Sequence, residues 1–156
     1  MTVIVRDIAP ADHDAWRALF HAYGVFYETE LADEVLDHVW SAIRGEAIRA
    51  FVAEQDPTTG SGRRGRVVGF AHVRTHVATF SVGEDWYLED LFVDPDVRAG
   101  GVGTAILEHL VKVARYESGG TLRWVTAESN ATAQRVYDKL AKRTTWVTYE
   151  VELDES

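Results

Sequence analysis

The sequence has no cysteine, a single methionine and only three prolines among its 156 residues. Without cysteine the chain can form no disulfide, no thiolate metal site and no cysteine nucleophile. It also lacks any run of about 18 consecutive apolar residues, so no transmembrane helix is predicted. We therefore expect a cytoplasmic protein that has no membrane partner.

Positive charge is also scarce, because 16 Lys and Arg residues stand against 25 Asp and Glu residues and give a formal charge of -9. An acidic surface repels phosphate backbones, so we expect no nucleic acid partner and consider a cationic partner plausible. With 46% hydrophobic residues, a chain of this length is suited to one core. Residues 1–156 are predicted to form a single domain.

Hydrophobic periodicity predicts strands and helices that alternate along the chain. The predicted strands are 2–7, 50–54, 67–77, 87–93, 122–126 and 145–153. One helix is predicted to start near residue 10, and the others cover 31–43, 103–116 and 131–142. A polar, Gly-rich loop, residues 55–66, joins the second and third strands. This order predicts an α/β fold with a central mixed sheet and helices on both faces.

The stretch RAGGVG, Arg98 to Gly103, lies between a predicted strand and a predicted helix. A helix start offers unpaired N–H groups, and glycines allow a phosphate to approach them. The stretch is not a Walker A loop, because no Gly-Lys-Ser or Gly-Lys-Thr follows. It is not a GxGxxG turn either, since Ile106 occupies the third glycine's position. It therefore suits a pyrophosphate and does not require a metal.

Arg98, Gly101 and Gly103 resemble the Arg/Gln-x-x-Gly-x-Gly/Ala turn of the GNAT superfamily of acetyl-CoA-dependent N-acetyltransferases. A second motif of that superfamily matches Asn130, Ala133 and Tyr137 in the predicted helix downstream. The first 45 residues, a predicted strand followed by two predicted helices, also follow the order of elements in that superfamily. The resemblance therefore covers nearly the whole chain. The stretch YLEDLFV is most similar to the spermidine/spermine acetyltransferases and to small histone or amino-acid acetyltransferases.

The resemblance implies a GNAT-like fold, acetyl-CoA as cosubstrate, no metal and a set of coenzyme-binding residues. In the family the tyrosine at the position of Tyr137 protonates the coenzyme A thiolate. A core tyrosine and an N-cap asparagine are the alternative interpretations of Tyr137 and Asn130. The implied coenzyme-binding residues are Leu91, Phe92, Val93, Arg98, Ala99, Gly100, Gly101, Val102, Gly103, Thr104, Asn130, Ala133 and Tyr137.

Glu89 and Asp90 are adjacent on a predicted strand, whose period of two sends them to opposite faces. Glu89 is expected to share a face with Leu91 and Val93. It also matches the position of the water-linked base in the polyamine acetyltransferases, so we assign it the removal of the amine proton. A structural ion pair is the alternative for Glu89, and a water chain or Asp90 stays open as the proton acceptor.

The segment FYETELADEVLD, residues 26–37, contains five carboxylates. The resemblance places this segment beside the acceptor cleft, where it would attract a polyamine or another cationic amine. Tyr27, Glu28 and Glu30 are therefore expected to contact the acceptor. The alternative is the solvated face of a helix.

His72, Arg74 and His76 share one face of the predicted strand 67–77. The two histidines would lie about 13 Å apart, which is too far for one metal ion. This face is expected to be exposed.

The resemblance implies an N-acetyltransferase in which a primary amine attacks the thioester directly in a ternary complex. A small amine, a polyamine or an amino acid is the preferred acceptor. The alternatives are a non-catalytic acyl-CoA sensor or interaction module, and a protein lysine or N-terminal acetyltransferase. Many relatives are homodimers, so a homodimer is expected.

Overall fold

The structure, a computed structural model, describes residues 2–56 and 65–154, except for the side chains of Arg98 and Ala99. The chain divides into two compact units, one up to Val125 and one from Thr126, and each is described by itself. Most of the predicted loop 55–66 lies outside the described residues. Within the described ranges, no helix is both long and apolar enough to cross a membrane.

The first unit contains a five-stranded sheet in which the strands follow their order in the chain. The strands are β1 (Val3–Asp7), β2 (Arg49–Gln55), β3 (Arg66–Val77), β4 (Glu84–Val93) and β5 (Leu122–Arg123). Neighbours from β1 to β4 are antiparallel, whereas β5 is parallel to β4. The prediction of a mixed sheet is confirmed, although β5 is shorter than the predicted strand 122–126.

Four α-helices accompany the strands in the described residues. The first unit contains α1 (His13–Phe26), α2 (Asp33–Arg44) and α3 (Val102–Tyr116), and the second contains α4 (Ala131–Leu140). Each corresponds to a predicted helix, with ends that differ by a few residues. The mixed α/β class expected from the sequence is therefore confirmed.

Helices α1 and α2 cover one face of the sheet through a large aromatic and aliphatic core. The apolar stripe of α1 forms because Trp16, Leu19 and Phe20 recur at helical spacing. Trp16 is completely buried, and its ring centroid lies 5.5 Å from that of Phe20. The buried members of this core are Trp16, Leu19, Phe20, Leu36, Ile43, Ala50, Val52, Phe70 and Phe92.

Helix α3 covers the opposite face and lies very close to β3 at Gly69. A Cβ atom added to Gly69 would lie 3.0 Å from the carbonyl oxygen of Phe92 and 3.2 Å from Cδ1 of Ile106. Such distances leave no room for a side chain in a close-packed interior. The glycine therefore allows α3 to rest directly on the third strand.

A β-bulge interrupts the pairing of β3 with β4. His72 pairs with Asp90, but the next pair joins Val73 to Leu88, so Glu89 is an extra residue on β4. An extra residue shifts the alternation of side chains by one position. As a result, β4 side chains alternate between the two faces of the sheet on each side of the bulge, but the alternation is broken at the bulge itself.

The segment after α4 does not contain the predicted strand 145–153. Residues 141–154 have no strand assignment, and large side chains such as Trp146, Tyr149 and Leu153 are exposed. The prediction was wrong because alternation of apolar and polar residues describes a side-chain pattern only. A strand also needs a neighbouring strand whose N–H and C=O groups can pair with its own.

Candidate active site

The predicted phosphate-binding turn connects β4 to α3. A short 3-10 helix (Pro95–Gly100) is followed by Gly101, which has φ 74° and ψ 18° in the left-handed region where glycine is favoured. The N–H group of Ala105 donates to the carbonyl oxygen of Gly101 at 3.0 Å. The N–H groups of Val102, Gly103 and Thr104 precede that bond and therefore have no acceptor inside the helix.

The surroundings of this helix start fit an anionic group. Apart from Gly101 and its two chain neighbours, no described heavy atom lies within 4 Å of the place where a Cβ atom of Gly101 would stand. The described residues thus leave room beside Gly101 at the N-terminus of α3, and helix N-termini favour phosphate. The end of β4, Leu91 to Val93, is followed a few residues later by Gly100 to Thr104. The side chains of Arg98 and Ala99 lie outside the described part, so their predicted contacts stay predictions.

Glu89, the extra residue at the bulge, forms an ion pair with Arg74 on the neighbouring strand. The Nε of Arg74 lies 3.0 Å from Oε1 of Glu89, and the two side chains are 54% and 37% exposed. The guanidinium carbon of Arg74 also lies 5.1 Å from the centre of the Tyr87 ring. A structural ion pair, the alternative considered for Glu89, is thus present, and its role in proton transfer stays a prediction.

Asp90 has a different partner, the buried His72 of β3. Oδ2 of Asp90 lies 2.9 Å from Nδ1 of His72, and Nε2 of His72 lies 2.9 Å from the indole nitrogen of Trp16. The expectation that the whole face of His72, Arg74 and His76 is exposed was wrong for His72, which is completely buried. Helix α1 lies over this part of the face, whereas Arg74 and His76 are exposed.

The bulge also corrects the expected directions of Glu89 and Asp90. Their partners Arg74 and His72 are two residues apart on β3 and so lie on the same face of the sheet. Glu89 therefore does not share a face with Leu91, which pairs with Ala71. The prediction of opposite faces was wrong because the period of two is interrupted between these residues.

Sequence reasoning missed the link from Trp16 through His72 to Asp90. The available signal was a tryptophan on the apolar stripe of α1, because a buried indole N–H needs an acceptor. His72 is flanked by apolar residues that read as a buried strand, which makes it a candidate for that acceptor. Their contact joins positions 56 residues apart, and no local pattern reports such a pairing.

The acidic segment 26–37 contains carboxylates that form ion pairs with α1 and others that are exposed to solvent. Arg17 of α1 contacts Asp33 and Asp37 of α2 at 2.9 and 2.8 Å, so two of the carboxylates connect the helices. Residues 27–32 form the connection between α1 and α2. Tyr27 there is 57% exposed, and Glu28 and Glu30 are exposed as well. These residues remain the predicted acceptor contacts.

In the second unit, Asn130 and Tyr137 belong to α4. Asn130 is the N-cap, and its Oδ1 accepts a hydrogen bond from the Ala133 N–H group at 3.1 Å. Its N-cap role is therefore present, and that N–H group already has a partner. Tyr137 lies about two turns further along the helix and is partly exposed. Its predicted contact with coenzyme A stays a prediction.

Comparison with known proteins finds the same class of protein. Residues 13–141 match the sequence profile described as Acetyltransferase (GNAT) family. The chain is 30% identical over 147 residues to the D-amino-acid N-acetyltransferase HPA3 of Saccharomyces cerevisiae, which covers 94% of this chain and 89% of that protein. It is also 31% identical over 86 residues to the thialysine N-epsilon-acetyltransferase of Mus musculus, which covers 55% of this chain and 50% of that protein.

Solved structures share the fold. A crystal structure of a probable acetyltransferase superposes with a TM-score of 0.85 at 21% identity and covers all of both chains. The structure of AAC(6')-Iy in complex with a bisubstrate analog gives a TM-score of 0.76 at 18% identity and covers 97% of this chain and 99% of that one. The fold is thus that of the acetyltransferases. The chain belongs to the GNAT family and is an N-acetyltransferase, as the sequence motifs indicated.

Proposed function

We propose that the protein transfers the acetyl group of acetyl-CoA to the primary amine of a small cationic acceptor. The carrying observation is that two carboxylates, Glu89 and Asp90, lie on the strand that leads directly into the glycine turn and the N-terminus of α3. One short stretch of chain thus offers negative charge to an amine and N–H groups to a phosphate. We infer that the two substrates meet there in a ternary complex.

The coenzyme is held mainly by backbone groups in this proposal. The N–H groups of Val102, Gly103 and Thr104 bind the pyrophosphate, and Arg98 adds a guanidinium to the same anion. The backbone of Leu91 to Val93 binds the pantetheine arm in an extended pairing. Acetyl-CoA supplies an activated thioester, and the protein residues orient it and manage the protons.

Besides the second proton of the amine nitrogen, which passes to water as the amide forms, two proton transfers accompany the reaction. An alkylammonium has a pKa of about 10.4, so making the amine neutral near pH 7 costs about 4 to 5 kcal/mol. Glu89 accepts this proton, directly or through water. The amine nitrogen then forms a bond to the acetyl carbon while the carbon–sulfur bond breaks. Tyr137 donates its hydroxyl proton to the departing thiolate.

A free amino acid or a polyamine is the proposed acceptor. Glu89 and Asp90, together with the exposed Tyr27, Glu28 and Glu30, present acidic or polar groups that attract a cation. The names of the yeast and mouse relatives support an amino-acid amine, because one is a D-amino-acid N-acetyltransferase and the other a thialysine N-epsilon-acetyltransferase.

The test is thiol release from acetyl-CoA by the purified protein with polyamines, amino acids of both hands and basic peptides. At saturating acetyl-CoA, Tyr137→Phe is expected to lower kcat by about 10² to 10⁴, as loss of a general acid does. Tyr116→Phe is the matched control, because Tyr116 is 89% exposed at the end of α3. Unchanged kcat in Tyr137→Phe contradicts the assigned acid. Acetyl-CoA binding without turnover supports the sensor, and preference for peptides supports a protein acetyltransferase.

We further propose a homodimer formed through the segment Thr145–Leu153. Apolar side chains alternate along it, and Val147, Tyr149, Val151 and Leu153 are 74% to 92% exposed. An exposed segment of this pattern can become a strand by pairing with the same segment of a second copy. Light scattering is expected to give twice the 17.5 kDa chain mass, and Val151→Lys is expected to shift the mass towards one chain. A single-chain mass for the unaltered protein at micromolar concentration contradicts the dimer.

A further inference from the structure

His72 is a completely buried ionisable side chain that the proposed reaction leaves without a role. Its ring lies between Phe20 and Phe70, with both centroids 4.8 Å from its own. Both ring nitrogens are used, one by Trp16 and the other by Asp90, at 2.9 Å each. The histidine therefore connects the hydrophobic core to a carboxylate of the bulge.

The partners of His72 determine where its proton lies. The indole nitrogen of Trp16 can only donate, so Nε2 of His72 must accept and carries no proton. The remaining nitrogen, Nδ1, then carries the hydrogen and donates it to Oδ2 of Asp90. This assignment makes His72 neutral and leaves a single tautomer, because a doubly protonated ring would have no acceptor for the indole.

This neutral partner distinguishes Asp90 from Glu89. Arg74 offsets the negative charge of Glu89, whereas His72 orients Asp90 and adds no positive charge. Among the described residues, no Lys or Arg side chain is within ion-pair distance of Asp90. Asp90 is also 25% exposed, so its carboxylate reaches the surface while Oδ2 is held from behind.

We propose, on the basis of the proposed function, that His72 is a positioning residue for the acceptor. Trp16 holds His72 in one tautomer, and His72 holds the Asp90 carboxylate towards the bulge, where it binds the ammonium group of the acceptor beside Glu89. Because the negative charge is not neutralised, it is available to a cation. Because its position is held from the core, the amine is presented in one place.

The experiment measures steady-state kinetics for the best acceptor of the panel with five variants of the full chain, four single and one double. Asp90→Asn is expected to raise the KM for the amine by about 10- to 100-fold, since a charged hydrogen bond is lost. His72→Leu removes the donor to Asp90 and is expected to raise the same KM by about 10-fold or more. In both variants kcat and the KM for acetyl-CoA are expected to stay within about threefold, because the coenzyme contacts are elsewhere.

Two further variants separate positioning from packing. His72→Asn places an amide N–H near the position of Nδ1 and is expected to restore most of the amine affinity lost in His72→Leu. His76→Leu is the matched control, because His76 is an exposed histidine of the same strand, and is expected to leave every constant unchanged. Thermal unfolding of each variant shows whether a loss arises from instability.

The double variant Asp90→Asn with His72→Leu gives the decisive comparison. If His72 acts through Asp90, the second substitution adds no further increase in the amine KM. Additive losses, or an unchanged KM in a folded His72→Leu, overturn the proposal while the proposed function stands. If His72→Leu does not fold, failure of Asp90→Asn to raise the amine KM overturns it in the same way. If the unaltered protein transfers acetyl to no acceptor, the positioning role falls together with the proposed function.

Discussion

Glu89 and Asp90 are adjacent in the sequence, yet the regions that surround them differ in burial and in charge. Glu89 is paired with the largely exposed Arg74, whereas Asp90 is bonded to a histidine that is completely buried. The first contact can open when a ligand approaches, because both groups can be hydrated instead. The second cannot open without leaving polar atoms unsatisfied in the core. Neighbouring carboxylates can therefore serve one site in different ways.

The bulge is what allows this difference. Without the extra residue, the two carboxylates would lie on opposite faces of the sheet, one towards α1 and the other towards α3. With it, both reach partners on one face, at Arg74 and His72. A local irregularity of one strand thus brings two negative charges to the same surface.

The largest effect is expected when the exposed carboxylate is removed. Glu89→Gln should lower kcat by about 10² to 10⁴, because the amine then loses its proton acceptor. The KM for the amine should rise several-fold, less than in Asp90→Asn, because the positive charge of Arg74 is then no longer offset. Glu84→Gln, an exposed change at the start of the same strand, is the control. Equal effects of Glu89→Gln and Asp90→Asn on kcat would remove the proposed division of roles.

A smaller effect is expected when the buried connection is broken. Trp16→Phe leaves Nε2 of His72 without its donor, which should lower the free energy of unfolding by about 1 to 3 kcal/mol. Urea denaturation followed by circular dichroism measures this difference. Phe80→Leu is the control, because the Phe80 side chain is fully exposed and has no proposed role, and its effect should stay within about 0.5 kcal/mol. Equal stabilities of the two variants would mean that the Trp16 bond contributes nothing.

The smallest effect is expected at the exposed ion pair. Arg74→Gln should change the free energy of unfolding by less than about 1 kcal/mol, as is usual for solvent-exposed pairs. It should also lower the KM for a cationic amine several-fold in dilute buffer, because Glu89 is then no longer offset. At 1 M salt, where the screening length is about 3 Å, this gain should disappear. A gain that persists at high salt would point to a steric effect of Arg74.

The sequence predicted most of the fold because its elements are strongly periodic. The stripe of α1 follows the helical period, and residues 68–73 of β3 form an uninterrupted buried run, so local reading suffices. The bulge at Glu89 was not predicted, since one inserted residue leaves no local mark in an apolar strand. In residues 145–153 the prediction failed for the opposite reason. The alternation of apolar and polar residues is present there, but no paired strand forms.

The candidate site was predictable where it depends on backbone geometry and unpredictable where it depends on distant contacts. The glycine turn could be predicted from the sequence because Gly101 adopts a left-handed conformation that glycine favours. The pairing of Trp16 with His72 depends on how α1 lies across the sheet. No spacing between residues 16 and 72 contains that information, so only the structure shows it.

The close contact at Gly69 gives the third strand a second significance. Helix α3 rests on β3 at this glycine, and three residues further along the same strand His72 holds Asp90. The helix at the proposed coenzyme site and the carboxylate proposed to bind the amine thus both contact the same strand. When this strand moves, the proposed coenzyme site and the proposed amine site should move with it. The distance between the thioester and the attacking amine should therefore change little.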